Sequence, residues 1–160
     1  MSEIFRLEWT VKGEPVVKKN TKRIVANHKD RRTGQMIPNK KIAIYYTDAW
    51  SNWDKEAVLT LSNLITKHPE IEFPLTGKYN LQCLFYYTSE IVVDLSNLYE
   101  GIQDVMAGKS ETNVPKRLFQ IIFDDSHRFI GSHNGSGVFL DPLNPRSEFI
   151  LTDYKMSKRD

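Results

Sequence analysis

Apolar and polar residues alternate along residues 4–12, which places Phe5, Leu7, Trp9 and Val11 on one face. A period of two predicts a half-buried strand, closed by Gly13 and Pro15. From Lys18 to Lys41 periodicity is weak and the turn residues Asn20, Asn27, Gly34 and Pro38 recur, which predicts an extended loop or arm. Ile42–Thr47 reads as a short second strand. The period then lengthens. Trp50, Trp53, Ala57, Leu61 and Leu64 recur at helical spacing, so a helix is expected from an Asp48 N-cap to about Thr66, with Pro69 beyond it. That spacing assigns the two tryptophans to the core.

Gly77–Ser89 reads as a strand with aromatics late in it, and Ile91–Val93 leads to Asp94. A second helix is predicted from Leu95 to about Ala107, with Gly108 as its C-terminal cap. Residues 109–118 form a polar loop. Phe119–Phe123, His127–Ser132, Gly137–Leu140 and Ser147–Tyr154 read as strands. The order β-β-α-β-α-β-β-β implies an α/β (α+β) fold, a mixed sheet with two main helices packed on it.

With 160 residues and no internal repeat, a single domain over 1–160 is expected. The longest apolar runs, Ile42–Tyr46 and Cys83–Tyr87, are too short for a transmembrane helix. The N-terminus lacks the basic-then-apolar build of a secretory signal. A lone cysteine, Cys83, excludes an internal disulfide and a multi-cysteine zinc site. The expectation is a soluble, cytoplasmic protein with no membrane partner.

The net charge of +2 hides an asymmetry: residues 12–41 carry +8 and the rest of the chain −6. A basic segment feeding an acidic body suits a polyanion grip beside a site that needs carboxylates. A solvated hairpin is the equal alternative. Carboxylates follow short apolar segments at Asp94 and at Asp124-Asp125, positions from which they could serve a hard divalent cation in phosphodiester hydrolysis. The same residues could simply cap a helix and make a turn. On the second helix, Leu95, Leu98, Ile102, Val105 and Met106 form an apolar stripe, while Ser96, Asn97, Glu100 and Asp104 cluster opposite. That polar face is either a site wall beside Asp94 or a surface turned to water. His28, His68, His127 and His133 make no metal-ligand spacing, and no nucleophile elbow, Walker loop or dinucleotide glycine set occurs.

Gly13-Glu-Pro-Val-Val-Lys-Lys19, the basic arm, Asp94-Leu-Ser-Asn-Leu-Tyr-Glu-Gly-Ile-Gln-Asp104 and Phe123-Asp-Asp-Ser126 resemble, in this order, the RusA family of Holliday junction resolvases. The resemblance runs from about Gly13 to about Ile130. It implies a homodimeric endonuclease, dependent on Mg²⁺ or Mn²⁺ and on no small-molecule cofactor, that resolves four-way DNA junctions by paired nicks. Asp94 and Asp125 match the family's catalytic aspartates, with Asp124 as a further metal ligand and Glu100 and Asp104 assisting. Ser96 and Asn97 would support the site. Ser96 stands where the family has a second aspartate, and Glu100 where it usually has lysine. Lys18, Lys19, Lys22, Arg23, Arg31, Arg32, Lys40 and Lys41 of the arm would bind DNA phosphates. A branched-DNA binder without cleavage activity and a protein-interaction module are the rival expectations.

Overall fold

The computed structural model describes residues 4–18, 22–109 and 119–156, and within the hairpin strands the side chains of 27 and 29–38. In chain order the elements are β1 (Arg6–Lys12), β2 (Lys22–Lys29), β3 (Met36–Tyr46), α1 (Asp48–Lys67), β4 (Tyr79–Tyr87), α2 (Leu95–Met106), β5 (Ile130–Ser132), β6 (Gly137–Leu140) and β7 (Arg146–Asp153). β7 lies between β1 and β4 and is antiparallel to both. The other edge of β4 is shared: β5 pairs with its first residues and β6 with its last four, both in parallel. Parallel neighbours require a crossover connection, and α2 supplies it.

Alternation makes this sheet one-sided. Leu7, Trp9 and Val11 of β1, Phe149 and Leu151 of β7, and Leu81, Cys83 and Phe85 of β4 are all buried. Registry superposes them, with Leu7 and Leu81 both opposite Leu151 and Trp9 and Cys83 both opposite Phe149. The helices complete a single core with these residues. α1 inserts the stacked pair Trp50 and Trp53. α2 meets α1 at Gly101, where an added Cβ would stand 3.0 Å from the Trp50 ring, so a larger residue would require the ring to give by a few tenths of an ångström. The architecture is thus a mixed α+β domain with two helices packed on a sheet. Among the described residues, no helix is long and apolar enough to cross a membrane.

Four local expectations are revised. The arm is a β-hairpin, β2 paired antiparallel with β3, which also absorbs the separate strand expected at 42–47. It forms a sheet of its own. Residues 27, 29 and 31–38 are exposed, so ladder hydrogen bonds and not a buried face build this end, and no apolar period advertises it. Thr47, not Asp48, caps α1 and accepts from the Trp50 N–H, while Asp48 becomes an acidic first-turn residue. Phe119, Ile121 and Ile122 are buried as a core strand would be, yet make only an isolated bridge to Leu75. Their backbone is spent elsewhere: the N–H groups of Ile121 and Ile122 both donate to the Met106 carbonyl at the end of α2. Residues 127–129 form a turn, so β5 begins only at Ile130.

Candidate functional site

The candidate carboxylates stand at the two ends of α2. A helix leaves unsatisfied N–H groups at its start, and an aspartate at the N-cap position can accept from them. Asp94 does this: its Oδ1 accepts from the Ser96 N–H at 2.9 Å and from the Ser96 hydroxyl at 2.7 Å. The carboxylate is exposed and sits on the positive end of the helix dipole. The Ser96 hydroxyl therefore supports Asp94 as a donor, which an ionised aspartate side chain at this position could not do. Asn97 follows, its N–H donating to the Asp94 carbonyl. Glu100 is exposed one turn beyond Ser96.

The other end is more densely charged. Gly108 adopts φ 76°, and its N–H closes on the Val105 carbonyl. The chain then turns so that the Lys109 N–H reaches the Asp104 carbonyl. The Lys109 ammonium lies 2.7 Å from Asp125 Oδ1 and 3.8 Å from Asp104 Oδ1. Asp104 is buried and also pairs with Lys18, whose ammonium lies 5.7 Å from the Trp50 ring centre. Two carboxylates and two lysines thus alternate through one cluster. Asp124 stands beside it and accepts from the Ser126 N–H at 2.7 Å.

Electrostatics follow from this arrangement. The Lys109 hydrogen bond, with the Asp104 carboxyl beside it, holds Asp125 below the usual carboxylate range. The same bond, reinforced by the charges of Asp125, Asp104 and Asp124, raises Lys109. Both groups are ionised at neutral pH. Lys109 is about half exposed and Asp125 about a third, so solvent reaches the pair.

Of the carboxylates singled out in the sequence, Asp104 and Asp125 come together at the C-terminal end of α2 through Lys109, with Asp124 beside them. Asp94 stands at its opposite end, about 15 Å away along the axis from Asp104. Among the described residues, no group of three or more carboxylates, histidines or cysteines converges closely enough to hold a metal ion. Two carboxylates do converge, and oxygen donors of this kind are what Mg²⁺ or Mn²⁺ takes, usually one or two of them with water and substrate phosphate completing the shell. The donor chemistry of Asp104 and Asp125 fits such an ion.

The basic residues divide in the same way. Lys18 is largely buried against Asp104, which removes it from the set available to phosphate. Arg31 and Arg32 are exposed in the hairpin turn. Lys22, Arg23, Lys40 and Lys41 lie on the paired strands, and their side chains, like all of Lys19, fall outside the described residues. Lys109 is the residue that sequence reasoning passed over. Its position directly after the C-cap glycine was the available signal, because that turn folds it back on the last helical residues. Compared with models of known protein families and with curated proteins, the chain matches none.

Proposed function

We propose that this chain is a metal-dependent, structure-selective DNA endonuclease that resolves four-way junctions by paired nicks, as its resemblance to the RusA family implies. The observation that carries the reading is the cluster of Asp104, Asp125 and Lys109, joined through the Lys18–Asp104 ion pair to the root of a basic hairpin. Asp125 and Asp104, with Asp124 nearby, would hold Mg²⁺ or Mn²⁺. When bound, that ion would neutralise phosphate charge and activate water.

The chain's own groups do the rest. The hairpin's strand residues Lys22, Arg23, Lys40 and Lys41, with Lys19 just before them, bind phosphates and so give affinity without sequence choice. Lys18, four residues before β2 in the chain, pairs with Asp104 of α2. Lys109 brings a positive charge to the carboxylates, while Glu100 stands where the family usually has lysine. Asp94 keeps a second negative charge at the other end of the helix, oriented by Ser96 and Asn97. A junction has near two-fold symmetry, and a homodimer with one site per copy matches it.

A specific observation favours a second reading, a branched-DNA binder that does not cleave. Asp94 is engaged in capping α2, and Ser96 replaces an acid beside it. A labelled synthetic junction, incubated with and without Mg²⁺, separates the two. The endonuclease nicks it only with the ion. Asp125→Asn abolishes nicking and leaves binding unchanged or tighter, since negative charge near phosphate is removed. Binding without nicking at any Mg²⁺ or Mn²⁺ concentration selects the second reading. Equal affinity for junction and plain duplex rejects both.

A further inference from the structure

An exposed apolar groove lies between the β4–α2 loop and the edge strand β6. Ile91 and Val92 of the loop face Val138, Phe139 and Leu140 across a cavity of about 450 Å³. Val92 is fully exposed, and Phe139 and Leu140 are about half exposed. The rim is acidic. Glu90 lines the cavity, and the Glu14 carboxylate is fixed at the end of β4 by the Thr88 N–H and hydroxyl. Asp141 is tied to the Tyr87 carbonyl and paired with Arg146. An occupant of this groove needs a short apolar stretch flanked by positive charge.

The chain itself carries such a segment. At the hairpin tip Lys29 pairs with Met36 and His28 with Ile37, so two exposed apolar side chains stand beside Lys29, Arg31 and Arg32. The tip is preformed. The Asp30 N–H donates to the Gln35 carbonyl, and the Asp30 carboxylate accepts from the N–H groups of Arg32 and Thr33. Docking a preformed turn avoids much of the ordering cost that a loose segment incurs. All of residues 31–38 are exposed, so the tip does not occupy its own groove. Eight residues of β2 give the arm a reach of about 25 Å.

From this complementarity of charge and apolar surface we infer that the groove receives the hairpin tip of a second copy of the chain. Each copy offers one tip and one groove, so reciprocal exchange closes on a two-fold axis as a dimer. Lys29, Arg31 and Arg32 face Glu14 and Glu90 of the other copy, while Met36 and Ile37 enter between Val92 and Phe139. The arm's strands are left to the DNA. The inference rests on the two-copy arrangement proposed above and is independent of cleavage.

Two single-cysteine exchanges at exposed positions test it, Met36→Cys in one preparation and Val92→Cys in another. The native Cys83 is buried, and burial pushes its thiol pKa up, so it stays silent. Mild oxidation of the mixture should yield a covalent dimer joining the two variants, and neither variant alone should cross-link. Met36→Asp with Ile37→Asp should halve the solution mass from two copies to one. Cross-linking of Val92→Cys with itself means the patches meet each other and overturns the docking. A dimer without the mixed cross-link, or one whose mass survives the double aspartate change, overturns the docking alone. A monomeric wild-type chain overturns both the docking and the dimer. If the tip changes alter junction affinity and leave the mass as it was, the tip serves DNA and the inference fails.

Discussion

His133 shows how one side chain can carry a pH dependence into the fold. Its Nδ1–H donates to the Leu81 carbonyl at 2.8 Å and its ring stacks on Tyr99 at 3.9 Å. Burial lowers its pKa from the ordinary 6.5, so the native state keeps it neutral. The unfolded chain protonates first as pH falls, which costs stability below the unfolded pKa. Denaturant midpoints should therefore drop between about pH 7.5 and about pH 5.5, and His133→Phe should flatten that drop while keeping the stack. Asp125 acts in a lower window. Its pKa is depressed, so its contribution persists above the ordinary 3.8 and is lost as pH falls through the native value. The Lys18–Asp104 pair is largely buried, with side chains 13% and 12% exposed. Asp104→Leu removes the carboxylate from both Lys18 and Lys109 and should cost about 3–5 kcal/mol in unfolding free energy. Lys18→Met leaves Asp104 its Lys109 and should cost less; equal losses would count against the shared pairing.

At the level of elements, α2 ties the fold to the candidate site because acidic residues stand at both its ends, Asp94 as the N-cap and Asp104 in the last turn. Asp94→Ala removes a cap and should destabilise the protein by about 1 kcal/mol, read from unfolding curves. Asn is as good an N-cap as Asp. Asp94→Asn should thus keep wild-type stability while losing the charge, and junction nicking by this variant measures the charge alone. Full nicking would confine Asp94 to the cap. The helices were legible in the sequence because a period near 3.6 is a local property and each helix buries one stripe. The strand pairing of the arm was not, although a hairpin was one reading of the basic segment, because it is held by bonds between its own strands and its described tip buries no face. The segment 119–123 misled for the opposite reason. Its side chains at 119, 121 and 122 are buried like those of a strand, but two of its backbone donors close the end of α2.

For the molecule as a whole, the charge asymmetry becomes a spatial one. The basic hairpin stands as a sheet of its own, while the acidic cluster is built into the body at the end of α2. Changing Lys22, Arg23, Lys40 and Lys41 together to Ala should weaken junction binding. It should also lower the slope of log affinity against log salt by about 0.9 for each phosphate that is no longer neutralised. An unchanged slope would mean that the strands of the arm do not touch DNA. Lys18 is left out of this set, since its burial with Asp104 makes its loss a stability effect first.

Contiguous residues dictate both helices, the inward faces of β1, β4 and β7, the glycine that ends α2, and the separation of positive arm from negative body. Each of these follows from period, cap chemistry or composition, so each can be read along the chain. Such reading also narrows the acidic positions to a few, but leaves open whether Asp94 caps or catalyses. Which carboxylates meet is a property of the folded chain. Asp125 joins Asp104 because residues 121 and 122 return to the Met106 carbonyl and Lys109 folds back over the helix end. Asp94 stays apart because a helix holds residues ten positions apart about 15 Å from one another. Proximity between distant segments depends on where the chain returns, and that return is set by the common core, which no local pattern encodes.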